Sequence, residues 1–407
     1  MYTIDLNTFE DCLPAEELYR KQQGQGGERW KNIPPIMEEL KKKAKSLGLW
    51  NLFFPKDYKE SIGLTNLEYA QLCRLMGRSV VMAPEATNCS APDTGNMEAQ
   101  KEKWLKPLLN GEIRSAFAMT EPAVASSDAT NIETRIEKQG NQWVVNGRKW
   151  YISGAGHPLC KVLLVLGKSD PNNAKKHLQQ SIVIVPMNTP GVHVKRPMGV
   201  FNYDDAPFGH CEVVFDNVKV PLENIVLGEG RGFEVIQGRL GPGRLHHCMR
   251  AVGIAERCLE MMLLRSAERK TFGKRLYEHA SAREEFVDCR IQLEQARLLT
   301  LDAAHQVDLY GPKKAKFAIA VAKIQVPRLC IDIVDRAIQL FGAEGLSQDS
   351  ILPELYAHCR TLRVVDGPDA VHRMQVGISE VKKIPALTEK YNAYKARKEE
   401  LLASAKL

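Results

Sequence analysis

The chain has 407 residues, of which 44% are apolar and 26% charged, with 29 glycines and 21 prolines. That profile excludes collagen-like, disulfide-knot and disordered chains, and the length suits two or three compact units with a buried core and a cofactor cleft. The net charge of +7 belongs to the C-terminal part: residues 1–230 hold 27 basic and 27 acidic side chains, residues 231–407 hold 29 and 22, a surplus suited to nucleic acid, an anionic membrane or a phosphorylated small molecule.

The first twenty residues carry five acids and a single base, Arg20, unlike a secretory or mitochondrial leader. From about Arg29 to Gly48 the spacing of Trp30, Ile33, Ile36, Leu40, Ala44 and Leu47 predicts an amphipathic helix closed by Gly48. Lys41, Lys42, Lys43 and Lys45 then cover its other faces, and without interleaved aromatics they read as a solvated surface rather than a nucleic-acid grip. A second helical pattern from Leu67 to Met82 completes an N-terminal helical domain over residues 1–112.

The period changes near Ser115. Ile132 to Glu137, a Gly140-Asn141 turn, Trp143-Val-Val, an Asn146-Gly147 turn and Lys149-Trp-Tyr-Ile alternate as β-hairpins do. Strands are expected at Val162–Leu166, Ser181–Val185, Val192–Lys195 and Cys211–Val220, which makes residues 113–227 a β-domain of barrel or sandwich type. After the Gly228, Gly230, Gly232 cluster, helical patterns at about 232–267, 281–309, 313–341 and 368–380 give a C-terminal four-helix-bundle domain over 228–407. The fold class is therefore α+β, in the order helical, β, helical. No β-α-β alternation occurs, so the glycine cluster fits a domain junction better than a dinucleotide fingerprint.

Ten cysteines without a C-x-x-C pair read as free thiols in a reducing compartment, and structural zinc is not expected. No stretch approaches 18 consecutive apolar residues, so no membrane span is expected. Ala405-Lys406-Leu407 has the small-basic-leucine form of a peroxisomal address, with a mitochondrial location as the alternative.

Four strings recur in the order of one family. Phe117-Ala-Met-Thr-Glu-Pro opens an element ending in Ser127-Asp128, and the hairpin ends in Lys149-Trp-Tyr-Ile-Ser153. Glu268-Arg-Lys-Thr-Phe-Gly273 and Gln339-Leu-Phe-Gly-Ala-Glu-Gly345 follow. With them the chain resembles the acyl-CoA dehydrogenases over nearly its whole length, most nearly the dehydrogenase portion of the long members fused to a kinase-like domain.

The resemblance implies FAD as cofactor, an acyl-CoA substrate, an electron-transfer flavoprotein as acceptor and a homodimer or dimer of dimers; with Arg244 and Arg269 assigned to CoA and FAD, nucleic acid is not expected, nor is a metal. It implies that Phe117, Met119 and Thr120 line the pyrimidine side of the flavin, and that Tyr151, Ile152 and Ser153 flank it near its hydride-accepting nitrogen. Arg269 and Phe272 would reach the diphosphate and adenine of a neighbouring subunit's FAD, assisted by Gln339, Gly342 and Ala343, with Pro368 also at the cofactor. From composition alone, Trp150-Tyr151-Ile152 reads as strand packing and Arg269 as a surface ion-pair residue. Four residues, Ala123 to Ser126, precede Ser127-Asp128 where the family has three, which leaves open whether Ser126 or Ser127 contacts cofactor and substrate.

For the base, the family's Tyr-Glu-Gly-Thr string is matched by Val365-Asp-Gly-Pro368, which makes Asp366 the candidate for removing the α proton and places Gly367 at the substrate. An aspartate is one methylene shorter than a glutamate, so either the backbone moves toward the substrate or the substrate is a modified acyl chain. Read without the family, Asp366 suits a helix N-cap ahead of Gly367-Pro368. Other members place the base just before an arginine on an earlier helix. That position is Gly243 here, ahead of Arg244, which matches the arginine near CoA. His246 and His247 are adjacent, point different ways, and have no acidic partner at ligand spacing. The reaction implied is α,β-dehydrogenation of a long-chain or hydroxylated acyl-CoA in fatty-acid β-oxidation. An acyl-CoA oxidase, a DNA-binding branch and a flavin-bearing interaction module are the rivals.

Overall fold

The computed structural model describes residues 12–54, 56, 58–90 and 98–405; at residues 238–242 the helical backbone alone is described. Lys406 and Leu407 of the expected address lie outside the described residues. In chain order the described residues build helices, a seven-stranded sheet and a bundle of long helices, with a two-stranded hairpin of Lys270–Thr271 and Lys274–Arg275 in the last part.

In the first helical unit, α1 (Cys12–Gln23) is followed by a short 3-10 turn at Gly26–Trp30 and α2 (Pro35–Ser46). The helix expected from Arg29 therefore starts six residues later, because Pro34-Pro35 can neither continue a preceding helix nor donate into it, while proline suits a first turn. Trp30 leaves the helical unit and packs against the sheet core. Gly48, at φ 71°, makes the left-handed turn expected of it. Lys41 does not lie on a solvated face: it is 4% exposed and paired with Glu38 at 2.7 Å. Next, α3 (Asn66–Gly77) begins with a capping box in which Thr65 and Glu68 bond each other's backbone N–H. It ends before the expected Met82, where a separate short helix, α4 (Met82–Thr87), begins.

The sheet has seven strands: β1 (Arg114–Ala118), β2 (Arg135–Gln139), β3 (Gln142–Ser153), β4 (Cys160–Lys168), β5 (Gln180–Pro186), β6 (Val192–Met198) and β7 (His210–Pro221). Their order is β1-β4-β2-β3-β7-β6, with β5 paired to β4. Asn146-Gly147 is not a turn. β3 runs through it with a register shift against β7, and position 147 has room for glycine alone, since a Cβ there would lie 2.2 Å from Thr134 Oγ1. β4 is apolar on both faces: Leu163 and Val165 enter one core, Val162, Leu164 and Leu166 another, as a strand covered on two sides requires.

The C-terminal unit comprises α5 (Gly232–Glu268), α6 (Ala280–Lys314, broken at Gly311), α7 (Lys316–Phe341), α8 (Leu352–Thr361), α9 (Asp369–Val381) and α10 (Ile384–Ser404). The sequence patterns missed α1, α8 and α10; α10 has no buried residue and so no apolar stripe facing a core. At about 55 Å, α5 reaches from Ile236 in the sheet's second core to an exposed turn at Arg269. It crosses α3 closely, since a Cβ on Gly77 would lie 2.2 Å from the Arg250 carbonyl and one on Gly253 1.9 Å from that of Arg74. That crossing fixes the middle of α5, where Gly243, Arg244 and His247 lie. All ten cysteines are buried without disulfides, and burial pushes the Cys258 thiol up to about 12. No helix among the described residues is long and apolar enough to cross a membrane.

Candidate active site

The segment between α8 and α9 is tied down from two helices. On α7 the Lys323 ammonium, 1% exposed, donates to the carbonyls of Leu362 and Val365, the latter at 2.9 Å. On α5 the Arg244 Nε donates to the Asp366 carbonyl at 2.7 Å. Asp366 and Gly367 both have left-handed backbone, φ 54° and 102°. Aspartate tolerates that conformation better than most side chains. At Gly367 a Cβ would also meet His372 Nε2 at 2.9 Å.

Asp366 is not an N-cap. The N-cap position of α9 is Pro368, and no side chain caps it. The reversed backbone turns the Asp366 carboxylate onto α5 instead, where Oδ2 lies 3.2 Å from His247 Nε2 and 3.0 Å from where a Cβ on Gly243 would stand. Asp366 and Gly243, the latter standing where other members of the family carry their base and itself unable to serve, thus lie at one place, and Gly243 leaves the room that the Asp366 carboxylate occupies. His247 does have an acidic partner, contrary to the sequence reading, because the partner comes from a distant loop and not from its own helix. Its ring Nδ1 is met by Arg250 Nη2 at 2.9 Å. Burial and the Arg250 guanidinium outweigh Asp366 and hold the His247 imidazole below its ordinary pKa. His246 points elsewhere, its ring 4.9 Å from that of Tyr69, and burial pushes it down to about 3.

A second group of candidates lies along the seam of β1 and β3. Thr120 Oγ1 donates to the Trp150 carbonyl at 2.5 Å, and the Trp150 N–H donates to the Thr120 carbonyl at 3.0 Å. The β3–β7 register shifts between Lys149 and Ile152, and Tyr151, at φ 50°, is 41% exposed. The Ser153 hydroxyl meets His210 Nδ1 at 2.8 Å. Phe117 and Met119 are half-buried against the second sheet core. Ile152 is 1% exposed within the first core, which leaves its backbone and not its side chain to face a cofactor. Ser126 is used within its own loop, its hydroxyl accepting from the Glu121 N–H at 2.8 Å, whereas Ser127 is exposed.

Sequence reasoning missed what holds this seam. Glu121 accepts from Lys149 Nζ at 2.8 Å and from the backbone N–H groups of Glu133 and Thr134 at 2.7 and 2.9 Å, while Lys149 Nζ also donates to the Met119 carbonyl at 2.8 Å. The two side chains are 4% and 0% exposed. Burial works against the Glu121 charge, but Lys149 and these donors outweigh it and hold its carboxyl below the ordinary range. A charged residue inside each of two recurring strings was the available signal.

The third group stands at the far end of α5. Phe272 is 98% exposed at φ 49°, Arg269 is exposed, and no carboxylate pairs with it among the described residues. Nearby, Arg265 binds Glu344 at 2.5 Å and lies over the Phe341 ring, which joins this turn to the exposed corner of Gln339, Gly342 and Ala343. No hydrogen bond or ring contact among the described residues joins this group to Thr120, Tyr151 or Ser153. Asp205, Glu354 and His358 form a cluster with metal-ligand spacing, but its groups are already engaged, Glu354 with Arg20 at 2.6 Å and Asp205 with His358 at 3.4 Å.

Sequence profiles of the acyl-CoA dehydrogenase N-terminal, middle and C-terminal domains match residues 9–112, 116–218 and 230–379. A probable acyl-CoA dehydrogenase of Arabidopsis thaliana is 50% identical over 92% of this chain and 49% of its own length. Acyl-CoA dehydrogenase family member 11 of Gallus gallus is 50% identical over 89% and 48%. The chain thus spans about half the length of these curated relatives. A solved Mycobacterium abscessus protein assigned as an acyl-CoA dehydrogenase superposes with a TM-score of 0.86 at 44% identity, over 93% of this chain and 94% of that one.

Proposed function

The chain belongs to the acyl-CoA dehydrogenase family, and on that premise we propose that it desaturates a long-chain or hydroxylated acyl-CoA to the trans-2-enoyl-CoA, with Asp366 as the base that removes the α proton. The observation that carries this reading is the Asp366 carboxylate turned onto Gly243 by a left-handed backbone, with its Oδ2 beside His247 Nε2 on α5. A left-handed turn at this position suits a side chain one methylene shorter than glutamate.

The residues present fit FAD. An exposed cation without a carboxylate partner among the described residues, beside a fully exposed ring, is what Arg269 and Phe272 present, and it suits a diphosphate and an adenine. The exposed Tyr151 ring and the Ser153 hydroxyl suit a flat heteroaromatic edge. Bound FAD supplies the hydride acceptor. Thr120, Tyr151 and Ser153 would hold the ring from this subunit, and Arg269, Phe272 and Gln339 would serve the cofactor of a second copy in a homodimer. Ser127, whose hydroxyl is not used within its loop, is the better of the two serines for substrate or cofactor. Asp366 would take the α proton as the C–H bond breaks, Gly367 would bring the backbone next to the thioester, and Arg244 would fix the loop through the Asp366 carbonyl while lying near CoA. Electrons would leave to an electron-transfer flavoprotein.

The test is anaerobic bleaching of the purified flavoprotein by saturated acyl-CoAs of graded chain length, beside Asp366→Asn. Loss of bleaching in the variant with flavin content intact is expected. Bleaching at the wild-type rate would defeat the assignment.

A further inference from the structure

The chain Arg250–His247–Asp366 has a direction. An arginine has no acceptor, so the 2.9 Å contact between Arg250 Nη2 and His247 Nδ1 makes Nδ1 the acceptor and leaves the ring proton on Nε2. That proton faces Asp366 Oδ2 at 3.2 Å. Gly243 and His247 are four residues apart and share a face of α5, so the gap that admits the carboxylate and the donor that receives it belong to one surface. We infer that His247 is a positioning residue for the base, held neutral by Arg250 and donating through Nε2 to aim the short Asp366 carboxylate at the acyl α-carbon and keep it ionised. The inference rests on the reading of Asp366 as the base.

The surrounding charges fit that role. On α5, Arg244 is engaged with the Asp366 carbonyl, and His246 is uncharged at neutral pH. The neighbouring Cys248 is a buried thiol pushed up to about 12. Lys323 on α7 is engaged with the carbonyls of Leu362 and Val365. On α9, Asp369 is bound by Arg363 and Arg328, and burial pushes His372 down to about 4. A charged imidazolium against Asp366 would favour the carboxylate strongly and make it a weaker base, whereas a neutral donor favours it modestly. Because Nε2 already carries a proton and Nδ1 is occupied, His247 cannot receive the α proton. When the α C–H bond breaks, the proton stays on Asp366, and the imidazole remains neutral.

Two measurements test this on the full chain with its flavin. In protein labelled with ring-15N histidine, the His247 signals, identified by their loss in His247→Gln, should show a protonated Nε2 and a bare Nδ1 from pH 6 to 8. Titration in that range, or a proton on Nδ1, overturns the inference. Stopped-flow bleaching by palmitoyl-CoA should show its acid limb moved up by about one pH unit in His247→Leu and largely restored in His247→Gln, whose amide keeps a donor. An acid limb unmoved in both variants while Asp366→Asn is inactive overturns the role of His247 alone. An active Asp366→Asn removes the reading of the base beneath it.

Discussion

The Asp366 Oδ2 atom lies 3.0 Å from the position a Cβ on Gly243 would take. One added methyl group is therefore enough to crowd the carboxylate from below. Gly243→Ala should slow flavin bleaching by palmitoyl-CoA by about two- to tenfold, because the carboxylate must give way by a fraction of an ångström and a displacement of about 1 Å costs on the order of a hundredfold. Stability should be unchanged or higher, since alanine inside a helix is favoured over glycine by roughly 0.5–1 kcal/mol. The check is the reduction rate read beside the melting temperature. A slower variant that is also less stable would point to general damage, and an unslowed one would remove the claim that the carboxylate needs this gap.

The Glu121–Lys149 pair bears on the seam, not on the chemistry directly. Lys149→Met strands a buried carboxylate and frees the Met119 carbonyl, so unfolding free energy in urea should fall by about 3–5 kcal/mol. Glu121→Gln keeps an acceptor for the Glu133 or Thr134 N–H but leaves a buried ammonium, and should fall by a similar amount. The double variant Glu121→Gln/Lys149→Met should be less destabilised than the sum of the two. Strict additivity in that cycle would show that the two side chains do not act on each other.

Much of this arrangement was readable from sequence because it is carried by contiguous strings: the Thr120, Ser153, Arg269 and Gly342 segments each announce themselves locally, and the helix–β–helix order follows from the change of period. The pairings were not readable. Glu121 and Lys149 lie in separate strings, and Arg244 and Asp366 are 122 residues apart. His247 looked idle because its helix offers it no acid, and the signal that was there is its four-residue spacing from Gly243 on the face that Arg244 marks. Asn146-Gly147 misled because the dipeptide suits both a turn and a bulge, and β3 stays paired with β7 on either side of it.

The Asp205–His358 contact predicts a pH dependence of stability. Burial opposes the charge on His358, yet Asp205 and Glu354 outweigh it and raise the imidazole above its ordinary 6.5. Burial likewise works against the Asp205 charge, and His358, His210 and Arg29 hold its carboxyl below its ordinary 3.8. The raised group contributes fully below 6.5 and loses its contribution as pH rises through its folded-state value; the lowered group contributes above 3.8 and loses it as pH falls through its own. The pair is therefore most useful between about pH 4 and 6.5. His358→Gln should be less stable than wild type by about 1 kcal/mol at pH 5.5 and nearly equal to it at pH 9. Denaturation at those two pH values decides the point, and a deficit that is the same at both would assign His358 a packing role alone.

Arg269 and Phe272 make few contacts of their own, so truncating them should cost the fold less than about 0.5 kcal/mol. Their cost should fall on FAD instead. Loss of a charge-assisted bond to a diphosphate is worth about 1.5–3 kcal/mol, so Arg269→Ala should bind FAD about 10- to 100-fold more weakly, measured by quenching of flavin fluorescence in the apoprotein. Unchanged affinity would sink the assignment. Whose FAD the arginine serves is settled by mixing subunits. If it reaches a neighbour's cofactor, a mixed dimer of Arg269→Ala with Thr120→Val has one intact site, built from the unaltered Thr120 of one subunit and the unaltered Arg269 of the other. If each arginine serves its own subunit, every site in that dimer carries a lesion, and flavin binding stays weak throughout.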